Sequence, residues 1–144
     1  MSDLLAHHPP YARWAHVLLR IFTGALMAQH GAQKLFGVFG GMGGIPGATA
    51  PMWHQFWVAG ILEFGGGLLL IFGLLTRVVG FILAGEMAVA YFTVHAKQGF
   101  WPIQNKGDLA VLFCFVMLYF AATGAGVVSL DYMLARRTPK PVMS

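Results

Sequence analysis

The sequence predicts an all-α protein, four transmembrane helices arranged up-down-up-down. Three observations carry that expectation. Of 144 residues, 58% are apolar and only 10% are charged, with a mean hydropathy of +0.69. A soluble domain carries roughly 25% charged residues, and so few charges cannot cover a water-facing globule of this size. Four apolar runs each approach the ~20 residues a helix needs to cross ~30 Å of hydrocarbon. Clusters of glycine and proline separate them.

The first helix is expected over about Arg13–Phe36. A secretory signal would have an uninterrupted apolar core, whereas Arg20 breaks this run, so it reads as a retained span. The segment Gly37 to Pro51 holds six glycines and two prolines; helix cannot continue there, and an ordered loop dipping back toward the membrane fits. The second helix is expected over Met52–Phe72 and the third over Arg77–Ala96. Between them Gly73 ends one helix and Thr76 caps the next, which forces an antiparallel hairpin. Lys97 to Lys106, with Trp101, Pro102 and Asn105, suits an interfacial loop. The fourth and shortest helix spans Gly107–Thr123 and stops at Gly124 and Gly126. The expected organisation is an N-terminal segment (1–12), a membrane domain (13–131) and a polar, basic, partly disordered tail (132–144).

The net charge is +4 and the pI about 9.6, but the basic residues are scattered singly, apart from Arg136, Arg137 and Lys140. That is the pattern of a membrane-surface protein, and no nucleic-acid partner is expected. Arg13, Arg77, Arg136, Arg137 and Lys140 fall on one side, and Lys34, Lys97 and Lys106 on the other. The excess of basic residues places both termini in the cytoplasm. A single cysteine, Cys114, excludes an internal disulfide or a CxxC pair. The six histidines form no HxxxH or HExxH motif, so no metal is expected. The glycine runs at Gly40–Gly44 and Gly65–Gly67 lack a nucleotide-binding context, and no haem, flavin or iron–sulfur motif occurs.

Three ionisable residues lie well inside the predicted spans, where each costs ~2.5–3.5 kcal/mol to insert at a helix centre. At ~1.5 Å per residue, Arg20, Glu86 and Glu63 fall at similar depths from the cytoplasmic helix ends. The three are therefore expected to converge as an ion cluster. Two carboxylates and one guanidinium sum to −1, so one carboxyl is a candidate proton carrier. At ~100° per residue, His16, Arg20, Thr23, Met27, His30 and Lys34 share one face of the first helix. Gly60, Glu63, Gly66, Gly67 and Leu70 share one face of the second, and Ile82, Glu86, Ala90, Thr93 and Lys97 one face of the third. The bland reading is a charge lock that fixes helix register; the functional one is a polar pocket. His30, Lys34, Thr93 and Asp108 are its candidate ligand-binding residues. Interfacial snorkelling competes at Lys34, and a helix-start role competes at Asp108. His54 and His95 fall opposite Glu63 and Glu86 and read as interfacial.

These residues compose a pattern. Arg20 is followed by HGxxK at His30–Lys34, ExGG at Glu63–Gly66, GLxTR at Gly73–Arg77, MxxA at Met87–Ala90 and GxGxxSLD at Gly124–Asp131. In order and spacing this resembles the DoxX family of bacterial membrane proteins, over about residues 13–131. The resemblance implies a four-helix protein of the bacterial inner membrane, associated with a membrane oxidoreductase. It also implies a quinone or similar lipid-soluble carrier as ligand, because the family takes its name from a relative in a thiosulfate:quinone oxidoreductase. Expected partners are the lipid bilayer and a membrane or periplasmic oxidoreductase. A non-catalytic scaffold and a small-solute transporter or lipid-binding protein remain alternatives, and whether the chain is itself an enzyme stays open.

Overall fold

The computed structural model describes residues 9–137. The expectations for Lys140 and for the rest of residues 1–8 and 138–144 lie outside the described residues. Within them the chain is all-helical: α1 (Pro10–Phe36), α2 (Gln55–Phe72), α3 (Thr76–Ala90), α4 (Pro102–Asn105), α5 (Asp108–Thr123) and α6 (Leu130–Arg137). Leu130–Arg137, which takes in the start of the polar tail, is thus helical.

Local chemistry sets the boundaries. Pro9 and Pro10 stand where helix-start amides need no partner, and Gly37 ends α1 in the left-handed region, its N–H donating to Gln33 O. Gly73 ends α2 the same way. The loop after α1 is ordered: Ala50 N–H donates to Lys34 O at 2.7 Å and Met42 N–H to Ala48 O at 2.8 Å. Asp131 caps α3 from a distance, its carboxylate accepting from Leu75 N–H at 2.8 Å and Thr76 N–H at 3.0 Å. After Ala90 the helical path continues through a single π turn (Tyr91–His95) and a 3₁₀ turn (Ala96–Gln98).

Two helix pairs make up the fold. α1 runs antiparallel along α2, and α3 along α5, with α2 and α3 joined by the Gly73–Thr76 turn. Small residues bring the backbones together: Gly67, on the predicted stripe of α2, abuts Ala28, while Gly31 and Gly80 lie off the predicted stripes. A Cβ on Gly31 would stand 2.3 Å from Phe64 N, and one on Gly80 would stand 2.8 Å from Met117 O. Met27, Leu70, Leu83, Met87, Phe113, Met117 and Phe120 fill the centre.

Outside, Phe22, Phe81, Phe92 and Phe115 are each more than 60% exposed, an exterior that calls for apolar surroundings. By length and composition, Gln55–Phe72 and the continuous run Thr76–Gln98 are each fit to cross a membrane. Asp108–Thr123 is apolar but shorter. The longest helix, α1, carries His16, Arg20, Gln29, His30 and Lys34, which lower its hydropathy. Among the described residues, two elements rather than four therefore meet that test.

Candidate functional site

The polar residues separate into two clusters at opposite ends of α1. The expected convergence of Arg20 with Glu63 and Glu86 does not occur. Arg20 is 1% exposed and donates to the carbonyls of Ala125, Val128 (2.7 Å) and, at 3.5 Å, Ile71. Arg77 likewise donates to Ala121 O (3.1 Å), Ala122 O and Thr123 O (3.3 Å). Next to it, His16 contacts Gly124 O at 3.0 Å and the Tyr119 hydroxyl at 2.9 Å. Together with Asp131 of α6, which caps α3, these side chains bind backbone groups at the ends of α2, α3 and α5 and in the α5–α6 connection, which helix hydrogen bonding leaves unsatisfied. This end is a structural fastening.

The position of Arg20 has a geometric cause. Helix ends do not align, since α1 has 27 residues and α2 has 18. The N-terminal turns of α1 overhang α2, so Arg20 lies level with Gly73, where a Cβ would stand 2.8 Å from its Nη1. Lys34, fourteen residues further on and roughly 21 Å along the axis, is the cation at the level of Glu63.

Lys34 Nζ donates to both carboxylate oxygens of Glu63, at 2.6 Å to Oε1 and more closely to Oε2. Glu63 is 3% exposed and Lys34 is 22% exposed, so the carboxylate is buried and the ammonium keeps some access. Both line a cavity of about 240 Å³ together with His30, Glu86, His95 and Lys106; Met87, Phe113 and other apolar residues complete the wall. Glu86 lies within electrostatic reach of Glu63 and Lys34, yet its Oε2 is buried without a hydrogen-bond partner. The His30 ring stands edge-on to Phe113, centroids 6.1 Å apart.

Of the other expected ligand residues, Thr93 lines a separate groove, its hydroxyl occupied by Val89 O at 2.7 Å. Asp108 is exposed at the start of α5 and does not line the cavity. His54 caps α2, accepting weakly from Phe56 N–H at 3.4 Å.

His95 and Lys106 are cavity residues that the sequence reading left out. On a regular helix His95 falls opposite Glu86. The π turn, which ends at His95, holds one extra residue and breaks the regular helical phase, and His95 lines the cavity. Its Nδ1 contacts Asn105 O at 3.1 Å. Asn105 is 1% exposed and ties the loop together, donating to Gly99 O at 2.6 Å and accepting from Gly107 N–H at 2.8 Å. Nothing in the residue spacing announces a π turn.

The sequence profile of the family described as DoxX matches residues 15–96. That span includes Arg20, Lys34, Glu63, Glu86 and His95. An uncharacterized protein of Haemophilus influenzae is 42% identical over 91% of this chain and 96% of its own length. The "Putative oxidoreductase CatD" of Bacillus subtilis is 31% identical over 80% of this chain and 83% of its own. The "Inner membrane protein YqjF" of Escherichia coli is 32% identical over 65% and 68%. No solved structure matches the chain significantly.

Proposed function

The chain belongs to the DoxX family, and from that premise we propose that it is an integral membrane subunit of an oxidoreductase system. In this reading it binds a quinone head group in the cavity of Lys34, Glu63 and Glu86. The observation that carries the proposal is Glu86 Oε2, a buried carboxylate oxygen without a partner on a residue that lines a cavity. Buried polar atoms are ordinarily hydrogen-bonded, so an orphan beside open space marks a place for an arriving group or proton. The name of the Bacillus subtilis relative supports the oxidoreductase link. The name of the Escherichia coli relative supports an inner-membrane location.

The residues present suit such a ligand. A quinone offers two carbonyl oxygens and needs donors; Lys34 and His30 can supply them, while His95, whose Nδ1–H is held by Asn105 O, offers Nε2 as an acceptor. When bound, it supplies a carrier for two electrons and two protons. Lys34 holds the Glu63 carboxylate in place and keeps a positive charge at the cavity wall. Glu86, with no cation of its own in contact, holds a proton at Oε2 and delivers it into the cavity. Phe113, Met87 and Ala110 exclude water from the inner wall. The electrons come from a partner oxidoreductase, because one cysteine provides no dithiol relay.

In the proposed topology α1, α2, the run from α3 through Gln98, and α5 cross the bilayer in alternating directions. Both termini face the cytoplasm, and the cavity opens toward the opposite side. Lys34, Lys97 and Lys106 mark that side, and the basic residues near the termini mark the other.

The test is quinone titration of the purified protein in lipid nanodiscs, with mass spectrometry of co-purifying lipids. Wild type is expected to retain quinone, and Glu86→Gln and His30→Ala to lose it while staying folded. If no quinone binds, and these variants still support the partner's activity, the protein is a scaffold. If the purified protein moves a solute into liposomes instead, it is a transporter.

A further inference from the structure

A second cavity of about 420 Å³ lies between α2 and α3, lined by Gln55, Val58, Leu62, Ile82, Val89 and Thr93 among others. Its rim faces outward: Val58 is 45% and Val89 62% exposed. Gln55 and Thr93 are its polar rim residues, and the Thr93 hydroxyl is already bound to Val89 O. Phe56, Ala59, Glu86, Ala90 and Val94 belong to this groove and to the polar cavity alike. The wall between them is one side chain thick and includes two alanines, with Glu86 at the junction.

Size bears on what fits. Small-molecule sites usually occupy ~300–1,000 Å³. The polar cavity alone, at about 240 Å³, falls below that range and suits a head group without its tail. The groove supplies the missing room on the lipid-facing side, with an apolar lining that matches a hydrocarbon chain.

We infer that the α2–α3 groove is a lateral portal holding the hydrocarbon chain of an amphiphile whose polar head lies in the cavity beyond Glu86. This rests on the quinone reading and adds how the ligand arrives and what fixes its orientation. The head passes between Phe56 and Ala90 from the bilayer, and the chain stays behind in the groove. Glu86 stands where head meets chain.

Binding measurements with two probes test it: a benzoquinone bearing a long alkyl chain, and the same ring without the chain. Val89→Trp and Val58→Trp each fill the groove from its exposed rim, outside the polar cavity; two variants are used in case one misfolds. Each is expected to weaken the chain-bearing probe at least about tenfold, because the indole occupies the space that the chain would fill. The chainless ring should bind within about twofold of wild type. If both variants bind the chain-bearing probe as wild type does, or lose both probes equally, the portal is refuted and the quinone cavity stands. If wild type binds neither probe, the quinone reading fails and the portal falls with it.

Discussion

Lys34 on α1 grips both carboxylate oxygens of Glu63 on α2, and this pair, not an arginine, neutralises the buried acid. Lys34→Ala is expected to strand the carboxylate and to destabilise the fold by about 3 kcal/mol, the low end for a broken buried pair, since the ammonium keeps some access. Lys34→Met combined with Glu63→Leu should recover most of that loss, because no charge is left alone. Unfolding in detergent micelles reads both. A Lys34→Ala protein as stable as wild type would remove the pair from any structural role.

Arg20 predicts the opposite separation of effects. Removing it leaves the carbonyls of Ala125 and Val128 without their donor, at a cost of at least about 3 kcal/mol. Lysine should restore only part of this, lacking the guanidinium fork. Hydrogen exchange should quicken in residues 124–131. Quinone affinity of the folded fraction should stay within about twofold of wild type. An Arg20→Ala protein that melts normally but no longer binds quinone would place Arg20 in the site after all.

Two glycines of one helix pair make a matched test of packing. Gly31→Ala drives a methyl against Phe64 N and is expected to cost about 1–3 kcal/mol or more as overpacking. Gly65→Ala meets nothing within 4 Å and should be neutral or slightly stabilising, given the helix preference for alanine. Equal melting temperatures for the two variants would argue against the close α1–α2 crossing.

Asp131 caps α3 from outside that helix. Asp131→Ala is expected to cost about 1–2 kcal/mol, with Asp131→Asn retaining part. Because Asp131 N–H also donates to Gly73 O at 2.9 Å, limited proteolysis should first open the α2–α3 turn and the α5–α6 connection. Cleavage unchanged from wild type would count against the fastening.

The proposed topology predicts that Ile45→Cys, in the loop after α1, labels with an impermeant thiol reagent from outside intact cells. Arg136→Cys should label only after permeabilisation, in a background with Cys114 replaced. Labelling of both from one side would overturn the alternation.

The helices were legible because their signals are local. Gly73 marks the α2–α3 turn, and Gly37 and Gly124 end their helices, all read within a few residues; Leu75, not Thr76, holds the cap position of α3, and α1 begins at Pro10, ahead of the expected Arg13. The stripes of the first two helices are legible too, Lys34 on the face of His30 and Gly60 on that of Glu63; that of the third is not, since Ile82 is exposed and Val79, Leu83 and Met87 form the buried face of α3. What escaped depends on offsets that no local signal carries. Arg20 was set level with Glu63 because helix lengths do not reveal overhang. His95 was set opposite Glu86 because a π turn leaves no mark in composition. Asp131 was assigned to the edge of the tail, since a cap reaching across 55 residues to Thr76 cannot be read from neighbours.

The two-pair construction also bears on how the chain is made. α1 and α2 emerge first, and together they contain both members of the Lys34–Glu63 pair. On the proposed topology, the nascent chain can neutralise its most deeply buried acid as soon as the first hairpin enters the bilayer, before α3 exists. Glu86 arrives only with the second pair, after Lys34 and Glu63 have met, and the chamber closes when His95 and Lys106 follow it. The order of synthesis therefore admits the unpartnered oxygen only after the buried acid has been neutralised.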